Sequence, residues 1–172
     1  MESDIVGAGN RWIPEAEYAL IRGSVPILCV DVLLSPKDDP RQVGLIHRAT
    51  YDGGNGWCLV GGSVLRNEHL SDAVERHVLA TLGTGVKVDH PTLELRTVIE
   101  YFTERGTGNF YDPRKHAVAL TYSASCECEG EPEALGEAFE FRWFKIGELS
   151  EVNFGLGQGD VVAQVLRTRT RI

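Results

Sequence analysis

The chain has 172 residues, of which 24% are charged, and a formal net charge of −8. This length suits one domain with a proper hydrophobic core, and the acidic balance argues against a general grip on nucleic acid. No apolar run is long enough to cross a membrane and no basic-then-apolar leader stands at the start, so we expect no membrane partner. The four cysteines lack a zinc-type spacing, which favours reduced thiols in a cytoplasmic protein.

The predicted elements begin after a start without pattern, and we expect residues 1–10 to be flexible. The run 12–22 predicts a short helix with a proline in its first turn. Tyr18 and Ile21 have the spacing of an inward-facing pair, so we expect them to pack on the core together with Trp12 and Ile13.

Two apolar runs then predict neighbouring strands. The first, 25–34, carries a single charge at Asp31, which would face either the solvent or a pocket, and both alternatives stay open. The second, 42–48, ends at Arg48. The glycine-rich run 51–56 lacks the lysine-serine ending of a phosphate loop, which favours a hairpin connection.

The central stretch of the sequence reads as strand, turn, loop and helix. An apolar run leads to a turn at Gly61 and Gly62, and the polar loop that follows carries Glu68. Ser71 is a good N-cap residue and predicts an amphipathic helix over 71–82.

The spacing of particular residues in this stretch is more specific evidence for a family than its order of strand, loop and helix. Five residues separate Gly62 from Glu68, seven separate Glu68 from Arg76, and a terminal glycine, Gly83, ends the helix. This frame resembles the Nudix box. The resemblance implies a Nudix-type α/β/α sandwich with a mixed β-sheet in a single domain over residues 11–172, and metal-assisted hydrolysis of a diphosphate.

Three helix positions depart from that box. His77, Ala80 and Thr81 stand where the box has glutamates. Because residues three and four apart share one helix face, glutamates there would gather hard oxygen ligands around Mg²⁺. The frame is therefore retained while its usual metal ligands are missing.

A basic group precedes a later strand. Arg114, Lys115 and His116 follow one another in an otherwise acidic chain, which favours an anion-facing cluster over mere solubilising charge. The other predicted elements are strands over 93–102, 117–126 and 137–144, a turn of helix over 147–151 and a final helix that Asp160 caps.

Within the superfamily, the layout resembles the GDP-mannose mannosyl hydrolase branch and also an uncharacterised family of Nudix-related domains. The branch resemblance implies that Arg48 stabilises the diphosphate leaving group and that Asp31 lines the substrate site. It implies that the Gly61 carbonyl and Glu137 contact the metal ion, and it matches His116 to a strand histidine. Four positions depart from the branch pattern: Val60 replaces a proline, Ser63 an arginine, Thr81 a metal-binding glutamate and Ala138 the catalytic histidine.

The first hypothesis is a hydrolase of a nucleoside-diphosphate sugar or a related nucleoside diphosphate derivative. Its Mg²⁺ or Mn²⁺ would be held weakly, with help from the phosphates of the substrate, and Glu137 or His116 would activate water. The candidate catalytic residues are Glu137, His116 and Arg48, the candidate substrate-binding residues are Asp31, Arg48, Arg114, Lys115 and His116, and the structural frame is Gly62, Glu68, Arg76 and Gly83.

Two alternatives stay open. One is a catalytically inactive Nudix-like domain that binds or senses a nucleotide, since basic residues without metal ligands suit that role equally well. The other is a hydrolase of another organic diphosphate, such as a prenyl diphosphate. The oligomeric state is also open, with a homodimer as one alternative.

Overall fold

The computed structural model describes residues 13–169. The predictions for residues 1–10 and for Trp12 therefore lie outside the described residues. Within the described part of the chain, no helix is long and apolar enough to cross a membrane.

Nine strands of the described residues form one mixed sheet. Its central path runs β3-β2-β1-β8-β6-β7, while β4 pairs with β1, β5 with β8 and β9 with β2. Strand β1 runs parallel to β8 and antiparallel to β2 and β4. The strands are β1 (Ile27–Pro36), β2 (Gln42–Ala49), β3 (Asn55–Cys58), β4 (Val60–Ser63), β5 (Val86–Val88), β6 (Glu94–Phe102), β7 (Phe110–Tyr111), β8 (Ala117–Cys128) and β9 (Ala138–Lys145).

Helices cover both faces of this sheet, because side chains alternate along each strand. Val30 and Val32 of β1 pack with Val74 and Val78 of the central helix on one face. Cys29 and Leu33 lie in a second cluster with the last helix, on the other face. The helices are α1 (Glu15–Ser24), α2 (Leu70–Leu82) and α3 (Gln158–Arg169), with 3₁₀ turns at His90–Thr92 and Ile146–Glu151. The predicted α/β/α sandwich with a mixed sheet is confirmed.

The first helix, α1, packs only lightly. It has no buried residue, and Pro14 stands at its N-cap rather than in its first turn. Tyr18 is partly buried against the core cluster of α3, whereas Ile21 is 38% exposed. Ile13 is 43% exposed. The inward packing predicted for Ile13 and Ile21 is therefore wrong, since α1 rests on the sheet through a narrower contact than its apolar spacing suggested.

The predicted turn at Gly61 and Gly62 is wrong, because both glycines lie in β4 and pair with β1. Gly61 stands opposite Asp31, and a Cβ on Gly61 would collide with the Asp31 carboxylate and the Val30 carbonyl. A Cβ on Gly62 would lie 2.5 Å from Cε1 of His77. Glycine is therefore needed here for close packing on both faces of the strand rather than for a change of chain direction.

The predicted helix starts also needed correction. Helix α2 begins at Leu70, with His69 at the N-cap and no side-chain capping bond, while Ser71 shares a hydrogen bond with Asp72. Helix α3 begins at Gln158, so Asp160 lies within its first turn instead of capping it. At the other end of α2, Gly83 has a φ of 73° and its N–H donates to the Leu79 carbonyl, as a terminating glycine does.

An ion pair fixes α2 to the strand before it. Arg76 donates from Nε and Nη2 to the two carboxylate oxygens of Glu68, at 2.6 and 2.8 Å. The same Nη2 also donates to the Ser63 carbonyl at 2.9 Å, and Glu68 accepts from the Leu65 N–H at 2.8 Å. Hydrogen bonding from Arg76 lowers the pKa of Glu68. The loop, the helix and β4 thus meet at one forked contact.

Arg76→Met should lower the free energy of unfolding by on the order of 3 kcal/mol, because it leaves the Glu68 carboxylate buried without its partner. The Glu68 side chain is only 2% exposed. Lys87→Met, which breaks the exposed pair with Glu129, is the matched control and should change little. Urea unfolding of both variants checks this, and equal losses would contradict the role given to Arg76.

Candidate functional site

Four predicted site residues come together where β1, β2, β4 and the start of β8 and β9 approach one another. Arg48, near the end of β2, donates from Nη1 to Glu137 at 2.5 Å. The Arg48 side chain is 18% exposed and that of Glu137 is 52% exposed. Nε of Arg48 is buried and has no hydrogen-bond partner among the described residues. The Nε–H of Arg48 is therefore an unused hydrogen-bond donor, and the Glu137 carboxylate that pairs with Arg48 is open to the solvent.

Asp31 is buried at the floor of this region, with 8% of its surface exposed, which excludes the solvent-facing alternative. It lies opposite Gly61 of β4 and beside Thr121 of β8. Burial raises its pKa to about 7, against the lowering effect of the positive charges on Lys115 and Arg48. A carboxyl group of this kind changes its charge near neutral pH.

Lys115 places an ammonium group beside Asp31. Its Nζ donates to Ser63 Oγ at 3.2 Å and to Cys29 Sγ at 3.5 Å. The Tyr18 hydroxyl of α1 shares a hydrogen bond with the same Ser63 hydroxyl at 3.3 Å. Burial raises the pKa of the Cys29 thiol, so both hydrogen-bond acceptors of Lys115 are neutral groups.

Arg114 is already engaged by a neighbour. Its Nε and Nη2 donate to the two oxygens of Asp112 at 2.9 and 2.7 Å. Burial alone would raise the pKa of Asp112, but hydrogen bonds from Arg114 lower it overall. The predicted substrate contact through Arg114 therefore needs this pair to open first.

His116 lies just before β8 and packs against an aromatic ring. Its ring stacks on Phe102 with centroids 4.9 Å apart, and its Nε2 is buried without a hydrogen-bond partner among the described residues. The role predicted for His116, as a substrate-binding or water-activating residue, stays a prediction.

The helix face that carries metal ligands in the Nudix box does not fit a divalent ion here. His77 donates from Nε2 to the Ser63 carbonyl at 3.0 Å, and burial lowers the pKa of His77. Ala80 is exposed and Thr81 is buried. Across residues 13–169, no group of three or more histidine, cysteine or acidic side chains is placed to hold a metal.

A separate cavity of about 600 Å³ lies at the Pro36 end of β1. Its lining includes Trp143, Cys126 and Cys128, together with exposed charged residues of the turn after β1. None of the predicted site residues lines it. Its volume alone gives no chemistry, and the buried charges identify the cluster around Asp31 as the candidate site.

A protein-family model described as Domain of unknown function (DUF4916) matches residues 8–169. The chain belongs to this family. The resemblance to an uncharacterised family of Nudix-related domains is thereby confirmed. No protein of curated function matches the DUF4916 chain in sequence.

Solved Nudix structures share the fold of the DUF4916 chain. A possible asymmetric diadenosine tetraphosphate hydrolase from Jonesia denitrificans is 29% identical, with a TM-score of 0.69 over 86% of this chain and 97% of that one. The Nudix domain of Shewanella oneidensis NrtR, complexed with ADP ribose, is 19% identical, with a TM-score of 0.66 over 92% and 100% of the two chains. A bifunctional NMN adenylyltransferase/ADP ribose pyrophosphatase from Francisella tularensis, complexed with AMP and a manganese ion, is 14% identical, with a TM-score of 0.63 over 90% and 47%.

These similarities confirm the Nudix-type fold and leave the closer resemblance to GDP-mannose mannosyl hydrolases as a prediction. The sequence did not identify the contacts of Lys115, because Cys29 and Ser63 come from two different strands. The one available indication was Ser63 itself, which stands where the hydrolase branch has an arginine.

We expect the free DUF4916 protein to bind Mg²⁺ more weakly than about 1 mM, since its helix face offers no carboxylate. Ala80→Glu places a carboxylate at an exposed position of that face and should strengthen the binding. Leu79→Glu adds the same charge at a neighbouring exposed position and is the matched control. Calorimetric titration with MgCl₂ checks this, and micromolar affinity of the unmodified protein would contradict it.

Asp31 should give stability a pH dependence of defined sign. Its folded-state pKa of about 7 lies above the ordinary value of 3.8, so its ionisation costs stability as the pH rises between these values. Asp31→Asn should become progressively more stable than the wild type across this window. The difference in unfolding free energy should level off above about pH 8 at no more than about 4 kcal/mol. Urea unfolding at several pH values measures it, and a difference independent of pH would refute the buried carboxyl.

Proposed function

We propose that the DUF4916 protein binds a nucleoside diphosphate derivative at Asp31, Arg48 and Lys115 and hydrolyses it. The observation that carries the proposal is the Arg48 guanidinium, which is largely buried, retains an unpaired Nε and is held at its other end by a half-exposed carboxylate. A planar guanidinium binds phosphate oxygens through two parallel hydrogen bonds. A diphosphate that displaces Glu137 would accept a hydrogen bond from the Nη1 that Glu137 now occupies.

The comparisons support this class of ligand. The Nudix domain of the Shewanella oneidensis protein is complexed with ADP ribose, and the Francisella tularensis protein, of which the match covers 47%, is complexed with AMP. For this chain, Arg48 and Lys115 supply the positive charge for the two phosphates. A nucleoside-diphosphate sugar is the substrate that the branch resemblance favours.

In the hydrolysis step, Glu137 is the candidate general base. Released from Arg48 by the arriving diphosphate, it accepts a proton from water while the water oxygen forms a bond to the atom under attack. The bond from that atom to the leaving phosphate oxygen breaks, and its electron pair stays on that oxygen. The proton held by Glu137 then passes to the product phosphate or to solvent. Arg48 offsets the charge that grows on the leaving group.

A second candidate function is nucleotide binding without hydrolysis. The helix face of His77, Ala80 and Thr81 favours it, because these positions carry no carboxylate. In that case Glu137 acts only as the internal partner of Arg48. The two functions predict different consequences for the same pair of substitutions.

If the protein is a hydrolase, Arg48→Ala should lower turnover more than binding, because leaving-group charge grows in the transition state. The expected loss is roughly a hundredfold in kcat, or on the order of 2–4 kcal/mol. Glu137→Gln should also depress turnover while leaving ligand affinity largely intact. Product release and calorimetric affinity are measured together with a panel of nucleoside-diphosphate sugars and ADP ribose.

Arg142→Ala and Glu140→Gln are the matched controls, because this arginine and this glutamate form an exposed pair on β9. Neither should change turnover. Under the binding-only alternative, Arg48→Ala weakens affinity and Glu137→Gln leaves it unchanged or tightens it. Measurable binding of the wild type with no turnover across the panel would rule out the hydrolase.

A further inference from the structure

We infer that this site binds the diphosphate without a metal. Lys115 and Arg48, as fixed side-chain cations, supply the positive charge that a divalent ion supplies in metal-dependent diphosphate hydrolases. The inference rests on the proposed function and deepens it. It concerns the form of the ligand: a free nucleoside diphosphate group rather than its magnesium complex.

The first observation is that both faces of β4 are occupied by side chains. On one face, the Asp31 carboxylate lies against Gly61, and Lys115 contacts the Ser63 hydroxyl. On the other face, the His77 ring packs against Gly62. In the Nudix box, the space beside this strand is where the helix glutamates and a backbone carbonyl would meet a metal ion. Here an imidazole fills the helix side of it.

The second observation is the bonding of the Ser63 carbonyl. It accepts hydrogen bonds from His77 at 3.0 Å and from Arg76 at 2.9 Å. A carbonyl oxygen has two lone pairs, and both are used. The imidazole N–H thus joins α2 to β4 and leaves no free lone pair on the Ser63 oxygen, while the Gly61 carbonyl, the predicted metal ligand, lies two residues earlier in β4.

The third observation is the state of the Lys115 ammonium. Among the described residues it donates two hydrogen bonds, to the neutral Ser63 hydroxyl and Cys29 thiol. An ammonium group has three donors, so one remains for a ligand. Lys115 approaches Ser63, the position at which the resembling branch has an arginine. The Lys115 side chain, from the segment just before β8, therefore brings a positive charge to a position where the branch has an arginine in β4.

The fourth observation is the internal balance of charge. Arg48 is paired with Glu137 and Lys115 interacts electrostatically with Asp31. A resident divalent ion would add two positive charges beside these two cations, which is unfavourable at close range. A free diphosphate instead meets one cation at each phosphate after Glu137 moves aside.

The test is calorimetric titration with ADP, in EDTA and in excess MgCl₂. The wild type should bind ADP in EDTA at least as tightly as in Mg²⁺, because the metal competes for the same phosphate oxygens. Lys115→Met, which keeps most of the side-chain volume, should weaken binding in EDTA by about tenfold to a hundredfold, as expected for a lost charge-assisted hydrogen bond. Lys115→Arg should retain part of the affinity.

Lys87→Met is the control for removing a lysine elsewhere on the protein, and its affinity should match the wild type. Thermal unfolding of each variant checks that it is folded. The wild-type comparison of EDTA with Mg²⁺ needs no variant and decides the matter if Lys115→Met does not fold.

The outcomes separate this inference from the proposed function. ADP binding that requires Mg²⁺ would overturn the inference and leave the proposed function intact. Unchanged affinity of a folded Lys115→Met variant in EDTA would also overturn it. No binding of ADP, ADP ribose or any nucleoside-diphosphate sugar under either condition would overturn both.

Discussion

The forked contact between Arg76 and Glu68 is the constraint on which the site depends. It joins α2 to the loop before it and, through the Ser63 carbonyl, to β4. Strand β4 covers Asp31 and presents the Ser63 hydroxyl to Lys115. Loss of the fork would release the surface on which the pocket is built. Its presence therefore explains the architecture and carries no information about catalysis.

Every cation of the pocket already has an acidic neighbour. Arg48 pairs with Glu137 and Arg114 with Asp112, while Lys115 lies in the field of the buried Asp31. These pairs differ in burial, and the half-exposed Glu137 is the partner that a ligand displaces at least cost. Ligand binding then begins when a phosphate replaces the Glu137 carboxylate at Arg48.

The sequence was sufficient to predict the frame of the Nudix box. It was insufficient to predict which side chains share a face of the sheet. Spacing alone located the helix and the Glu68–Arg76 pair, because both depend on fixed numbers of residues. Gly61 was interpreted as a turn residue since nothing in the sequence shows that Asp31 packs against it. The stacking of His116 on Phe102 was out of reach for a similar reason, because the two residues come from different segments of the chain.

The burial of Asp31 also needed the fold, because it arises from β4 and β8 lying on either side of β1. A single charged residue in an apolar strand can either face the solvent at the edge of a sheet or be buried within the protein. The neutral partners of Lys115 were equally out of reach of the sequence, since they come from β1 and β4.

The crystal structure of the complex with ADP, grown in the presence of EDTA, tests the central claim most directly. The account predicts phosphate oxygens within hydrogen-bond distance of Arg48 and Lys115, with Glu137 released from Arg48. ADP bound elsewhere, for example in the cavity beside Trp143 and Cys126, with the Arg48–Glu137 pair still closed, would contradict it.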